Sequence, residues 1–409
     1  MTLMTTNDIY EESNRLHAKH RGKIGLQIKV PIETAEDLSL AYTPGVAEPC
    51  RKISQNKENA YAYTSKGNLV AIATNGSAVL GLGDIGPEAS LPVMEGKSIL
   101  FKKFANIDAF PVCVNSKDSK EFIDIIEKIA STFGGINLED IAAPQCFEIE
   151  EELQKRLNIP VFHDDQHGTA IVVLAALINS LSVVKKDISH IKVVINGAGA
   201  AGIATAKLLQ NFGISNLIMC DSKGIIYRGR SNMNPYKQSI VENNNHAIKK
   251  GALCDALYGA DVFIGLSLPN LVSKKMVQTM AERAIIFALA NPVPEIMPKD
   301  ALEAGAAIVC TGRSDFPNQV NNVLAFPGIF RGALDIRASC INSEMKYAAA
   351  QALASLVSDN ERSAGIVIPN IFDPRVEQAV SQAVAQSARE SGVAKDHFIN
   401  SYHGSSFPV

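Results

Sequence analysis

A chain of 409 residues, 46% hydrophobic and 20% charged, can bury two cores and exceeds one ordinary domain, so two domains are expected. A formal net charge of -3 leaves no broad basic field, and no aromatic and basic residues interleave, which excludes nucleic acid and acidic membranes as expected partners. Seven scattered cysteines lack Cys-x-x-Cys spacing, Met1 to Glu12 is no leader, and no apolar run reaches the ~18 to 20 residues of a membrane span, so the expected compartment is the cytoplasm.

The first 165 residues read as an α-rich α/β domain. Asp8 to His20, with Ile9 and Leu16 among charges, predicts a helix that is either exchanged at a subunit interface or simply exposed. Apolar runs at Leu69 to Thr74 and Ala78 to Leu80 lead into Gly81-Leu-Gly83-Asp-Ile-Gly86. Pro87 and Pro92 follow at once, so no long helix is expected there. The segment reads either as a turn lining a site, with Asp84 a polar participant, or as a hairpin without chemistry. Asn75-Gly-Ser77 matches a glycosylation sequon, but is read as a turn.

Lys97 sits beside Gly96 and ahead of the apolar run Ser98 to Phe101, expected to be a strand. A lysine near its usual pKa of ~10.4 is a poor base until burial or a neighbouring cation, such as Lys102 or Lys103, lowers it. Most lysines are merely solvated. Helical patterns cover Ser119 to Phe133 and Glu148 to Leu157.

Two acidic pairs, Glu139-Asp140 and Asp164-Asp165, end apolar stretches. Brought together they would make a hard oxygen site for Mg²⁺ or Mn²⁺. The alternative is capping, with Asn137 and Asp140 ahead of one helix and Asp164-Asp165 ahead of another. His163 and His167 flank the second pair, yet a helical zinc site needs both imidazoles on one helix face. Pro160 to Phe162 reads as a strand, Gly168 as an interruption, and the acid between them is not Glu. Pro160 to Thr169 reads as the link between domains, followed by the apolar helix Ala170 to Leu181.

From Ile191 the pattern changes. The strand Lys192 to Asn196 runs into Gly197-Ala-Gly199-Ala-Ala-Gly202 and a helix to Phe212. Gly197 allows a tight turn, Gly199 lets backbone approach a pyrophosphate, and Gly202 lets the helix pack on the strand. A second strand ends at Asp221, 24 positions beyond Gly197, where a carboxylate holds adenosine ribose hydroxyls. Further strands at Asp261 to Leu266, Ala284 to Leu289 and Ala306 to Cys310 complete a doubly wound, Rossmann-type parallel sheet. Its strand ends, Asn196, Asp221, Ser267, Asn291 and Thr311, are site candidates. Lys223 to Arg230 predicts a small hairpin, and Asn232 to Lys250 an exposed excursion. Glu344 to Val357 and Arg375 to Ser391 are amphipathic and expected to pack back across the first domain. The expected division is 1–165 for substrate, metal and dimerisation, 166–370 for the dinucleotide, and 371–409 for a helical C-terminal segment.

Taken together, Ala41-Tyr42-Thr-Pro-Gly-Val46, Gly81 to Gly86, Met94-Glu-Gly-Lys-Ser98, Asn137-Leu-Glu-Asp140, Phe162 to Ala170, Ala290-Asn-Pro292 and Asn318-Gln-Val-Asn-Asn322 with Phe326-Pro-Gly328 resemble the malic enzymes of the short bacterial type, over nearly the whole chain. The resemblance implies oxidative decarboxylation of L-malate to pyruvate and CO₂ with reduction of NAD or NADP, Mg²⁺ or Mn²⁺ as metal, and a homodimer or dimer of dimers. It assigns Glu139, Asp140 and Asp165 as metal ligands, Asp164 as the supporting acid, Lys97 as general base and Tyr42 as general acid. Asn291 and Asn322 hold the substrate carboxylate, and Asn291 also borders the cofactor with Gly197, Gly199, Gly202 and Asp221. One departure stands out: larger members carry an arginine where this chain has Ala78. Asp221 argues for NAD, since a carboxylate repels a 2′-phosphate, whereas Ser222 and Lys223 offer that phosphate donors. The rival reading is a metal-dependent oxaloacetate decarboxylase with a regulatory dinucleotide site.

Overall fold

The computed structural model describes residues 6–79, 81–231, 233–242 and 250–395. Leu80, residues 243–249 of the expected excursion and the end of the chain from 396 lie outside them.

Two parallel sheets organise the chain. The first has β1 (Leu69–Thr74), β2 (Asp108–Cys113), β3 (Gly135–Leu138) and β4 (Val161–His163), in the order β2-β1-β3-β4. β1 is buried along nearly its whole length and carries the run Val70 to Ala73, as a strand covered on both faces requires. The second has β5 (Lys192–Asn196), β6 (Asn216–Asp221), β7 (Gly224–Ile225), β8 (Val262–Gly265), β9 (Ile285–Ala288) and β10 (Ile308–Thr311). Their order is β10-β9-β8-β5-β6-β7, with only the hairpin strand β7 antiparallel. The strand order reverses between β5 and β8, which puts the topological switch point at Asn196–Gly197 and Leu266–Ser267.

Three local expectations are corrected. A 20-residue helix, Gly86–Ala105, opens directly from the third glycine of the first glycine-rich turn. Pro87 lies in its first turn, where an amide would have no intrahelical partner, so the proline starts the helix instead of stopping it. Pro92 is accommodated inside, and Lys97 lies on this helix, not before a strand. Pro160 to Thr169 is no linker: Val161–His163 pairs with β3, and a 21-residue helix starts at Asp164 and runs through Gly168 to Val184.

Helix Asp164–Val184 joins the two halves. By length and composition it could cross a membrane, but 72% of its apolar window is buried in this structure, where it packs against Ala200–Asn211 and Ser343–Ser355. A helix apolar on all sides is what a position inside the core requires. The helix Phe326–Asp335 returns to the first sheet. Phe326 and Phe330 stand edge-on to Phe101 at 4.7 and 5.3 Å, and Phe330 reaches Phe162 at 5.9 Å. Arg375–Glu390 packs on Phe326–Asp335 and Ser343–Ser355. Gly328 and Gly332 permit that approach, since a Cβ on either would press into Val380 or the Ser381 carbonyl.

Candidate active site

β3 and β4 are neighbours and end side by side, so Glu139 follows one strand and Asp164 the other. Lys97, from helix Gly86–Ala105, points between them. Its Nζ donates to Glu139 Oε1 at 2.9 Å and to Asp164 Oδ2, and lies 4.0 Å from the centre of the Phe326 ring. All three groups are buried. Asn322 Nδ2 donates to the same Asp164 oxygen, Asn137 Nδ2 to Glu139 Oε2 at 2.8 Å, and the Asp140 amide to Asp165 Oδ2 at 2.8 Å. Gly168 makes room: a Cβ there would overlap Asp164 Oδ1.

The electrostatics follow from this packing. Burial works against the Lys97 ammonium, but Asp164, Glu139 and Asp165 outweigh it and hold lysine above its ordinary value. Burial pushes the Asp164 carboxyl up to about 8, against the pull of Lys97 and with the repulsion of Glu139. Glu139 and Asp165 are raised as well, chiefly by burial. Behind them Glu150, which the sequence reading passed over, accepts from the His163 amide at 2.9 Å and Gln166 Nε2 at 3.1 Å, and pairs with His167 Nε2 at 2.8 Å. Burial opposes its charge, yet His167 and its neighbours bring it down to about 2. Glu150 thereby fixes the turn that carries Asp164 and Asp165. An acid on the inner face of an amphipathic helix was its only sequence signal.

The capping alternative separates in the structure. Asp164 and Asp165 do occupy the first turn of their helix. Asn137 and Asp140 cap nothing, because the next helix, Gln145–Arg156, starts after Pro144. The helical zinc arrangement is not formed, since His163 ends a strand while His167 pairs with Glu150; Gly168, expected to interrupt the helix, lies within it.

Three carboxylates, of Glu139, Asp164 and Asp165, act on one lysine here, and Asp164 Oδ1 is buried without a hydrogen-bond partner among the described residues. Excess negative charge on oxygen donors suits a hard divalent cation. Among the described residues, no three acidic, histidine or cysteine side chains form a ready ligand set. Glu139 is occupied by Lys97 and Asp165 by the Asp140 amide.

Other expected residues fall elsewhere. Tyr42 follows the helix Ala35–Ala41 and is 67% exposed, outside the buried cluster. Asp84 pairs with Lys117 on the surface. Asn291 follows β9, and a Cβ on Gly81 would lie 4.0 Å from its carbonyl oxygen, so the first glycine-rich turn faces the second sheet. Ala78 donates its amide to the Asp140 carbonyl at 3.0 Å.

On the second sheet, Gly197 has φ +117, and a Cβ there would overlap the Leu266 carbonyl; one on Gly202 would overlap the Gly197 carbonyl. Gly199 has open space and precedes the helix Ala200–Asn211, whose first amides face that opening. Asp221 is not a bare carboxylate. It accepts from Arg230 Nη2 at 2.7 and 2.9 Å, from Lys237 Nζ at 2.8 Å and from the Lys223 amide at 2.9 Å.

A dinucleotide cradle on one parallel sheet and a buried acid-lysine cluster on the other define a nicotinamide-dependent oxidoreductase. Residues 21–154 match the model of the malic enzyme N-terminal domain, and residues 166–390 that of the malic enzyme NAD binding domain. The chain belongs to the malic enzyme family, NAD(P)-dependent enzymes that oxidatively decarboxylate malate. It is 60% identical to the bifunctional malic/malolactic enzyme of Bacillus subtilis, over 94% of each chain. It is 52% identical to the NAD-dependent malic enzyme of Geobacillus stearothermophilus, over 95% of this chain and 81% of that one. The crystal structure of malic enzyme from Pyrococcus horikoshii superposes with a TM-score of 0.90 at 48% identity, over 95% of this chain and 92% of that one.

Proposed function

We propose that the cluster at the ends of β3 and β4 carries out the malate chemistry, with Lys97 as the base for the C2 hydroxyl. The observation that carries this is Lys97 itself, buried between Glu139 and Asp164 and backed by Phe326. Asp164 takes a positioning role, since it holds Lys97 and Asn322 on one oxygen. Asn322 and Asn291 orient the substrate carboxylates from the second half of the chain. Excluding water from this pocket strengthens each of these contacts.

Glu139, Asp140 and Asp165 would hold Mg²⁺ or Mn²⁺. Such an ion would supply positive charge that polarises the substrate oxygens and lowers the proton affinity of a nearby lysine. As the chain stands, Lys97 is an ammonium bound by carboxylates, so base catalysis requires those carboxylates to be drawn off it.

Tyr42 is assigned as the acid that protonates C3, and its exposure supports a homodimer in which a second copy completes the site. None of the helices from Ala35–Ala41 to Ala60–Tyr63 buries a residue, and Leu26, Ile28 and Leu40 are 96%, 76% and 71% exposed. An apolar stretch of this kind is better accounted for by a subunit interface than by solvent. Seven free thiols suit a reducing compartment, in line with a cytoplasmic enzyme.

The nucleotide is read at Asp221. Its carboxylate suits the free 2′-hydroxyl of NAD, while Arg230 and Lys237 offset its charge and make NADP acceptable. A second reaction is worth the same assay. The relative from Bacillus subtilis is described as malolactic as well as malic. Pyruvate reduced by nucleotide that has not left the site would give lactate with no net redox change.

The test is nucleotide reduction with L-malate and Mn²⁺, against a chelator control, with pyruvate and lactate assayed together. Chelator-sensitive reduction matched by pyruvate is the expected result. Lactate in excess of reduced nucleotide would add the malolactic reaction. Release of CO₂ from oxaloacetate, with no reduction of either nucleotide, would overturn the oxidative reading in favour of a decarboxylase.

A further inference from the structure

Glu295 is fully buried, has no part in the acid cluster, and lies just beyond β9. Its two carboxylate oxygens are shared between two loops. Oε1 accepts the Ser267 amide at 3.1 Å, from the loop after β8, and Oε2 accepts the Ala290 amide at 3.0 Å, directly before Asn291. Its main chain repeats the link, since the Glu295 carbonyl accepts the Val272 amide at 3.0 Å and the Pro294 carbonyl accepts the Asn270 amide at 3.1 Å. Ser267 in turn accepts from Asn196 Nδ2 at 2.8 Å, at the end of β5. The polar ends of β5, β8 and β9 are therefore tied through one carboxylate.

The sequence makes space for this. A Cβ on Gly265, the last residue of β8, would overlap the Glu295 carboxyl carbon. Burial raises the Glu295 carboxyl, and the Ala290 and Ser267 amides oppose that rise. Among the described residues Glu295 is held by backbone amides of two loops and has no ion pair, and a buried acid of that kind is costly to keep. The loops it joins are those that flank the switch point and carry Asn291.

We propose that Glu295 is a positioning residue that sets the spacing between the Ser267 loop and the Asn291 loop, and so places Asn291 against the nicotinamide and substrate end of the cleft. This rests on the assignment of Asn291 to substrate or cofactor made above. Displacements of an ångström at such a contact lower turnover by up to about 100-fold. Asp221, assigned to the adenosine ribose, ends β6 on the far side of β5 from Glu295 and is the part of the nucleotide site expected to change least.

The experiment compares Glu295→Gln, Gly265→Ala, Asn291→Ala and the double variant Glu295→Gln/Asn291→Ala with the unaltered protein. Malate-dependent kinetics, binding of ADP-ribose and thermal melting are measured. Gln keeps the shape of Glu but offers one acceptor for two amides; Gly265→Ala keeps the acid and pushes it aside. Both are expected to raise the KM for malate or lower kcat by about 10- to 100-fold, with ADP-ribose binding changed far less. In the double variant the losses should fall well short of additive, because both changes act through Asn291. Glu295→Gln that lowers the melting temperature while kcat and KM stay unchanged would overturn the proposal, as would fully additive losses. If Glu295→Gln fails to fold, the same readings on Gly265→Ala decide. An Asn291→Ala variant with unaltered kinetics would instead remove the assignment of Asn291, which separates that failure from failure of the Glu295 proposal.

Discussion

The two parallel sheets end in opposite chemistries. At the carboxyl edge of the first stand Glu139, Asp164 and Asp165 around Lys97, and the interactions there are charge on charge among buried groups. At the edge of the second stand Gly197, Gly199, Asn196 and Ser267, where backbone amides and small residues leave space for a ligand. Even the two glycine-rich turns divide this way. Gly81, Gly83 and Gly86 all have positive φ and little around them, so they supply a turn that starts the helix bearing Lys97. Gly197 and Gly202 are glycines because backbone lies where a Cβ would be. One spacing pattern therefore serves two purposes, and only the surroundings of each glycine tell them apart.

Four variants bear on this division, beginning with the largest effect. Lys97→Ala removes the lysine that pairs with Glu139 and Asp164 and is expected to lower malate-dependent turnover by about 10²- to 10⁴-fold. Nucleotide binding, measured by fluorescence titration, should remain, since the cradle is on the other sheet. Equal loss of both would show that the two edges are not separable.

Gly202→Ala and Gly86→Ala form a pair. The first places a methyl group on the Gly197 carbonyl and should cost about 1–3 kcal/mol of stability together with nucleotide affinity. The second meets no neighbour and carries only the strain of φ +81, about 1–2 kcal/mol, with affinity retained. Denaturant unfolding and nucleotide titration on both variants distinguish them; weakened nucleotide binding in Gly86→Ala would count against the contrast.

Asp221→Ala is the mildest. It leaves Arg230 and Lys237 without their carboxylate, so the ratio of NADP to NAD activity should rise by about tenfold. An unchanged ratio would show that Asp221 does not discriminate between the two.

The second sheet was legible because its signals are local. Strand, turn, helix and acid follow one another from Lys192 to Asp221, and each is present as expected. Of the hairpin expected over Lys223 to Arg230, Gly224–Ile225 forms one arm and β6 the other, while 226–230 carry no strand. The first domain was harder. Pro87 and Pro92 argued against a helix, but a proline in a first turn interrupts no hydrogen bond, and burial of Met94, Lys97 and Phe101 on one face carries the helix past Pro92. Gly168 looked like a break, whereas it is the clearance for the Asp164 carboxylate. Metal ligand and helix cap could not be told apart at Glu139-Asp140, because the distinction lies in the partner strand and not in the neighbouring residues.

The amino-acid sequence by itself determined the dinucleotide cradle, the two-domain order and the inventory of acids, lysine and asparagines, since periodicity and glycine placement act over a few residues. Only the tertiary structure decided which of them meet. Lys97 reaches Asp164 across 67 positions and Asn322 reaches it across 158, and Arg230 and Lys237 turn on Asp221. Contacts of that span are set by how sheets and helices pack, because burial of the cores fixes where each strand ends and which side chains share the space beyond it.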